Sequence, residues 1–114
     1  MADCLFCRIA RKEIPAKILY EDSSVLAFAD VNPQAPVHAL IIPKAHFETL
    51  NDMWSDEEAR LGHLVVAASR VAAEQGLKEK GFRLVANCQS GAGQSVFHIH
   101  FHILGGRGLG WPPG

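Results

Sequence analysis

Three histidines, at positions 98, 100 and 102, alternate with Ile99, Phe101 and Ile103, and this alternation constrains the fold more than any other stretch. A strand sends every second side chain to the same face, so an extended segment here carries imidazole on one face and hydrocarbon on the other. The hydrocarbon face demands a covering layer. One histidine in a strand is ordinarily a hydrogen-bonded core or surface residue. Three in strict alternation would repel one another on protonation, so the pattern points to a site for an anion, a metal or both.

The loop that feeds this strand, Cys88-Gln89-Ser90-Gly91-Ala92-Gly93-Gln94-Ser95, is rich in Gly, Ser and Gln. Glycines let backbone amides turn toward an anion, and Gln94 and Ser95 add neutral donors. By itself such a loop reads as a flexible connector. Next to three histidines it reads as a phosphate cradle.

The balance of 11 Lys plus Arg against 12 Asp plus Glu gives no basic footprint, so nucleic acid and anionic membranes are not expected partners. No apolar run approaches the roughly 18 residues of a membrane span. The opening Met1-Ala2-Asp3-Cys4 lacks the basic and apolar regions of a secretory leader, so a cytoplasmic protein acting on small molecules is expected. Three cysteines are an odd number. In a reducing compartment Cys4 and Cys7 read as thiols or metal ligands, and Cys88 as a small buried residue. The length of 114 residues suits one domain, residues 1–114, with a glycine-rich tail over 105–114 that ends in the apolar anchor Trp111.

Along the chain, Arg8 to Glu13 reads as a short helical turn that stops before Pro15. Lys17–Glu21 and Val25–Ala29 read as a hairpin about Asp22-Ser23-Ser24. Asp30 to Pro36 is a loop, since its two prolines and Asn32 cannot sustain a ladder. Val37 to Pro43 is nearly all apolar and is expected as a central strand. His38 is either a hydrogen-bonded core residue or a member of the histidine cluster. A connector that is partly helical runs from Phe47 to Trp54. Ser55-Asp56-Glu57-Glu58 reads as a capping box that starts the one long helix. Its apolar stripe is Leu61, Leu64, Val65, Ala68, Val71 and Ala72, and Gly76 is its stop. Phe82 to Asn87 is the strand before the glycine-rich loop.

These segments together resemble the histidine triad (HIT) family, and most closely its Hint branch of purine nucleoside phosphoramidases. His98-Ile99-His100-Phe101-His102-Ile103-Leu104 fits the signature, and Gly93–Val96, Phe28–Val31, Ala35–His38 and Trp111–Gly114 look like further Hint segments. The resemblance implies an α+β fold: a five-stranded antiparallel sheet with one long helix and a short N-terminal helix, in a homodimer with Trp111 near the partner's nucleotide site. It implies hydrolysis of AMP or GMP amides through a nucleotidyl-histidine on His100, the central ring. His98 or His102, with Ser95, would supply or relay the proton for the leaving amine. His102 and the Gly93–Ser95 loop would hold the phosphoryl oxygens, with Val96 beside them.

By the same resemblance Asp30 takes the ribose hydroxyls, Phe28 and Val31 sandwich the base, and Asn87 orients the phosphate edge. For Asp30, capping the turn before Pro33 is the structural alternative. No organic cofactor is implied. Other HIT branches and the related galactose-phosphate uridylyltransferases combine such a CxxC with two histidines to hold zinc. Matching positions here are Cys4, Cys7, His46 and His98. Two other classes stay open: a hydrolase whose three histidines ligate a catalytic zinc, and a nucleotide-binding scaffold without significant turnover.

Overall fold

The computed structural model describes residues 4–114, so the opening Met1 to Asp3 lies outside the described residues. The elements are α1 (Leu5–Ala10), β1 (Ile18–Glu21), β2 (Val25–Ala29), β3 (Val37–Pro43), α2 (Glu58–Glu74), β4 (Phe82–Val85) and β5 (Phe101–Gly105). The strands form one antiparallel five-stranded sheet in the order β1-β2-β3-β5-β4. The expected α+β architecture is present. Among the described residues no helix is long and apolar enough to cross a membrane.

The β1–β2 hairpin closes where Asp22 Oδ1 accepts from the backbone N–H groups of Ser24 and Val25, at 2.8 and 2.9 Å. A short aspartate competing for its own backbone is what makes this turn. Helix α2 ends as expected: Gly76 takes φ 85°, Leu77 N–H reaches Ala72 C=O and Gly76 N–H reaches Ala73 C=O. This paired closure needs a left-handed residue at Gly76.

The start of α2 differs from expectation. Ser55 caps nothing; the cap is Glu57, whose side chain makes no capping bond and accepts instead from Arg60, and Asp56 sits at φ 62°. That left-handed residue diverts the backbone path along which a Ser55 hydroxyl would meet the first-turn amides. A capping box forms instead one turn upstream, where Thr49 and Asp52 bond reciprocally around a 3-10 turn over Leu50–Asp52. The stripe also shifts: Val65 is 41% exposed, and Ala67 is buried in its place with Leu64, Ala68, Val71 and Ala72.

The sheet is buried on both faces. Val25 and Ala27 of β2, Ala39 and Ile41 of β3 and Ile103 of β5 pack with the α2 stripe. Leu26, Phe28, Leu40 and Ile42 point the other way and are covered by Phe6 and Ile9 of α1. Alternation therefore puts His38, two residues before Leu40, on the face of α1. In the β3–β5 register Leu40 lies opposite His102 and His38 opposite Leu104, so His102 shares that face and the two histidines are diagonal neighbours.

The histidine segment itself is only partly strand. The ladder begins at Phe101, and His98 lies in a bend. The last β3–β5 pair is Ile41 with Phe101, so residues 98–100 run beyond the ladder, where Ile99 N–H bonds Phe47 C=O at 2.8 Å. The expected single row of three rings is therefore broken. His98 turns toward the segment that follows β3, while His100 and His102 stay together with ring centroids 5.0 Å apart.

Candidate active site

His100 and His102 line a cavity of about 390 Å³ on the α1 face of the sheet. Its walls are Leu5, Phe6 and Ile9 of α1, Ile14 to Ala16 just after it, Phe28 to Val31, Leu40, Ser95 and Val96. A mostly apolar cleft with a few convergent polar groups is the usual form of a small-molecule site. Phe28 is nearly buried and meets Phe6 edge to face at 5.5 Å, whereas Val31 stands at the mouth and is almost wholly exposed. Ser95 is exposed at the rim.

Hydrogen bonds fix the ring tautomers. Gln34 N–H donates to His38 Nδ1 at 3.0 Å, so a neutral His38 carries its proton on Nε2. That nitrogen is 2.9 Å from His102 Nδ1 and 3.4 Å from Asp30 Oδ2. His38 thus donates to His102, and His102 keeps its own proton on Nε2. Asp30 makes the turn weighed as its structural alternative, Oδ1 accepting from Asn32 N–H at 2.8 Å, and its Oδ2 faces His38. His38 joins the cluster.

His100 Nδ1 donates to the carbonyl of His98 at 2.8 Å, which leaves Nε2 as a bare lone pair on a ring that borders the cavity. Burial pushes the His100 pKa down. Burial, then the neighbouring rings of His100 and His38, push that of His102 down to about 4. Both imidazoles are neutral near pH 7, and a neutral imidazole is what a nucleophile requires.

His98 belongs elsewhere. Its Nε2–H donates to Pro43 C=O at 2.7 Å. Its Nδ1 lies 3.3 Å from Cys4 Sγ, 3.5 Å from Cys7 Sγ and 3.1 Å from His46 Nδ1, with Cys7 Sγ 3.3 Å from His46 Nδ1. Burial holds its pKa at about 4, and burial likewise raises that of Cys7. Because the ring is fully buried and does not border the cavity, the expectation that His98 relays protons to the leaving group is corrected. So is the catalytic-zinc alternative that joined all three triad rings. Among the described residues the ligand-like groups converge as two separate sets, Cys4/Cys7/His46/His98 and Asp30/His38/His102.

The first set fits a zinc ion. With Zn–N near 2.0–2.1 Å and Zn–S near 2.3 Å, a tetrahedron has N···N edges of about 3.4 Å and N···S edges of about 3.6 Å. The one N···N and three N···S distances above lie within a few tenths of those values, and all four donor atoms lie within 4.8 Å of one another. His98 cannot carry a proton on Nδ1 while Nε2–H is held by Pro43, so that nitrogen is prepared as a donor. Among the described residues His46 Nε2 is buried without a hydrogen-bond partner, unlike the usual ligating histidine, whose second nitrogen donates to an acceptor as His98 does to Pro43.

The glycine-rich loop works differently from expectation. Gln94 is buried, its amide donating to Glu48 C=O at 2.7 Å and Val96 C=O at 3.1 Å while its oxygen accepts from Gln89 N–H at 2.7 Å. Its side chain holds the loop together and is not a free donor. Gly93 takes φ 99°, a conformation costly for other residues, with Asn87 Nδ2 nearby. Ser95 and Val96 line the cavity, whereas Asn87, Gly93 and Gln94 do not.

Sequence reasoning missed Phe6, Ile9 and the Ile14–Ala16 segment. A signal existed: if Cys4 and Cys7 meet His98, the residues between and after them must lie along the same segment as His100. Phe6 does, with its ring edge-on to His100 at 5.1 Å.

An antiparallel sheet with paired imidazoles in an apolar cleft has the form of a histidine-based small-molecule site, and comparison with known proteins gives the family. The HIT domain model matches residues 11–109, and the chain belongs to the HIT family. It is 45% identical over 108 residues to the purine nucleoside phosphoramidase of Escherichia coli, covering 95% of this chain and 91% of that protein. It is 54% identical over 112 residues to an uncharacterized HIT-like protein of Synechocystis, covering 98% and 97%. The crystal structure of a HIT family hydrolase from Legionella pneumophila superposes with a TM-score of 0.96 at 53% identity, over 98% of this chain and all of that one.

Proposed function

We propose that this protein hydrolyses the P–N bond of purine nucleoside 5'-phosphoramidates, AMP or GMP amides, through a nucleotidyl-histidine on His100. The observation that carries this reading is the tautomer of His100: Nδ1–H is committed to a carbonyl and Nε2 is bare at the cavity. The similarity to the Escherichia coli purine nucleoside phosphoramidase supports the substrate class.

In the first step His100 Nε2 attacks phosphorus, the P–N bond breaks and the amine leaves with a proton. In the second, water attacks the same phosphorus, the P–N bond to His100 breaks, and the nucleotide departs. Splitting one displacement in two lowers each barrier. His102 Nε2–H, with the Ser95 hydroxyl, would bond the phosphoryl oxygens and relay a proton to the amine, a proton from cavity water replacing it through the Ser95 hydroxyl so that the ring stays neutral. The Asp30–His38 pair holds His102 in that tautomer, and Asp30 would meet the ribose. Phe28, Val31 and Phe6 would enclose the base, and Asn87, Gly93 and Gln94 would shape the loop that presents Ser95 and Val96.

Cys4, Cys7, His46 and His98 would hold a structural zinc, whose chemistry is that of a cross-link with a closed shell. The protein would act as a homodimer. Val66 on α2 and Trp111 in the tail are both strongly exposed on the single chain, and interfaces favour such anchors. A scaffold without turnover is disfavoured by the prepared His100 lone pair.

The test is turnover of adenosine 5'-monophosphoramidate to AMP and ammonia, with an adduct on His100 after an alkaline denaturing quench. No AMP formed, or an adduct on His102 instead, would overturn the reading.

A further inference from the structure

Helix α1 is six residues long, too short to hold its shape in water unaided. Its N-cap is Cys4, whose Sγ accepts from Cys7 N–H at 3.4 Å, so the capping atom is itself one of the four candidate ligand atoms. The same helix supplies a wall of the cavity through Leu5, Phe6 and Ile9. Phe6 sits between the two thiols in sequence, and its ring touches both functional clusters: centroids lie 6.0 Å from His98 and 5.1 Å from His100. A second link runs through the backbone. The His98 ring belongs to the cysteine set, and the His98 carbonyl accepts the Nδ1–H that fixes the His100 tautomer.

From these contacts we infer that metal binding by Cys4, Cys7, His46 and His98 is energetically coupled to occupancy of the cavity, with α1 as the two-state element and Phe6 as the residue that transmits the coupling. With metal bound, α1 is docked and the cavity has its third wall. Without it, the four donors share no cation, α1 loses its anchor, and the cavity opens on the Phe6 side. A ligand in the cavity packs against Phe6 and holds α1 down, so it tightens metal binding in turn. Linkage requires the two effects to be equal: the factor by which zinc changes nucleotide affinity is the factor by which nucleotide changes zinc affinity. The identity of the cavity ligand rests on the function proposed above; the coupling rests on α1.

The experiment measures AMP affinity by calorimetry on zinc-loaded and zinc-stripped protein, and zinc affinity by chelator competition with and without AMP. Zinc should tighten AMP binding about 10-fold or more, within the usual range of coupling between sites, and AMP should tighten zinc binding by the same factor. Amide exchange at residues 7–11 should slow at least 10-fold on zinc loading. In Phe6→Ala the coupling factor should approach one while zinc still binds; Phe6→Leu, which keeps an apolar wall, serves if the alanine variant does not fold. The double variant Cys4→Ser, Cys7→Ser should bind AMP as the stripped protein does, whatever the zinc concentration. Equal AMP affinity with and without zinc, unchanged exchange at residues 7–11, or failure to bind zinc would overturn the coupling. Failure of AMP to bind either form would instead overturn the nucleotide reading, and the coupling would then be judged by the same comparison with the apolar dye ANS, which needs only the cavity.

Discussion

His98 and His100 are two residues apart, both buried and both low in pKa because burial disfavours the imidazolium, yet they have opposite tasks. His98 gives its Nε2–H to Pro43 and turns Nδ1 into a closed group of two thiols and a second imidazole. His100 gives its Nδ1–H to the His98 carbonyl and keeps Nε2 bare beside a cavity. The difference teaches that a histidine's function is set by which nitrogen its neighbours occupy and what the other nitrogen meets. Burial, which they share, sets only the charge.

The sharpest way to break the contrast is to remove the open ring. His100→Ala should fold and bind AMP but lose kcat on adenosine 5'-monophosphoramidate by about 10⁴-fold or more, as deletion of a covalent catalyst does. His102→Asn should lose less, about 10²-fold, because it removes proton handling and leaves the nucleophile. Steady-state kinetics on both variants checks this, and a larger loss in His102→Asn would reverse the assigned roles.

The closed group should behave as structure. Elemental analysis of protein purified without chelator should find about one zinc per chain, and Cys7→Ser should lose it with a fall of several degrees in the thermal midpoint. Any fall in kcat should be on the order of 10–100-fold, well short of His100→Ala. Zinc-free protein with an unchanged midpoint would return the cysteines to the role of ordinary buried thiols.

A pH series sharpens the same comparison. Unfolded His102 takes up a proton near pH 6.5 and the folded residue only near 4, so between those values the unfolded state binds more protons. The stability contributed by the neutral ring is present above pH 6.5 and is lost as the pH falls toward 4. The urea midpoint of the zinc-loaded protein should therefore drop over this window, and His102→Gln, which cannot protonate there, should show a shallower drop. Parallel curves would remove His102 from the acid sensitivity.

The smallest effect on folding is expected from the tail. The tail is held by a few mostly exposed tethers, Arg83 donating to Leu109 and Gly110 C=O at 3.4 and 2.8 Å and Arg107 to Gln34 C=O at 3.2 and 3.0 Å, and Trp111 is 84% exposed. Deleting residues 107–114 should shift the thermal midpoint by only about 2–4 °C but change the relative rates for different amine leaving groups. An unchanged substrate profile, or a monomer in sedimentation of the intact chain, would refute the dimer-borne role of Trp111.

Much of the fold was legible in the residues because local chemistry wrote it there. Asp22 made its turn, Gly76 closed its helix, and the apolar run from Val37 to Pro43 became the central strand. The box at Ser55 misled because Asp56 adopts a left-handed conformation that sequence pattern does not reveal, while Thr49 and Asp52, the real pair, cap only a single 3-10 turn. The Gln94 side chain misled in a similar way: a polar residue in a glycine-rich loop is a donor in principle, and only its burial shows that the donors are spent on Glu48 and Val96.

What the sequence determined by itself is the supply of chemistry and its local spacing: which rings alternate, where the thiols stand, and which segments extend or coil. Those follow from interactions within a few residues. The tertiary structure alone decided how that supply is divided. Whether His98 faces thiols or substrate depends on Pro43, Cys4, Cys7 and His46, and whether His38 reaches His102 depends on the β3–β5 register, contacts made between residues 39 to 94 positions apart. Ring nitrogens respond to partners a few ångströms away in space, and only the folded chain says which residues those partners are.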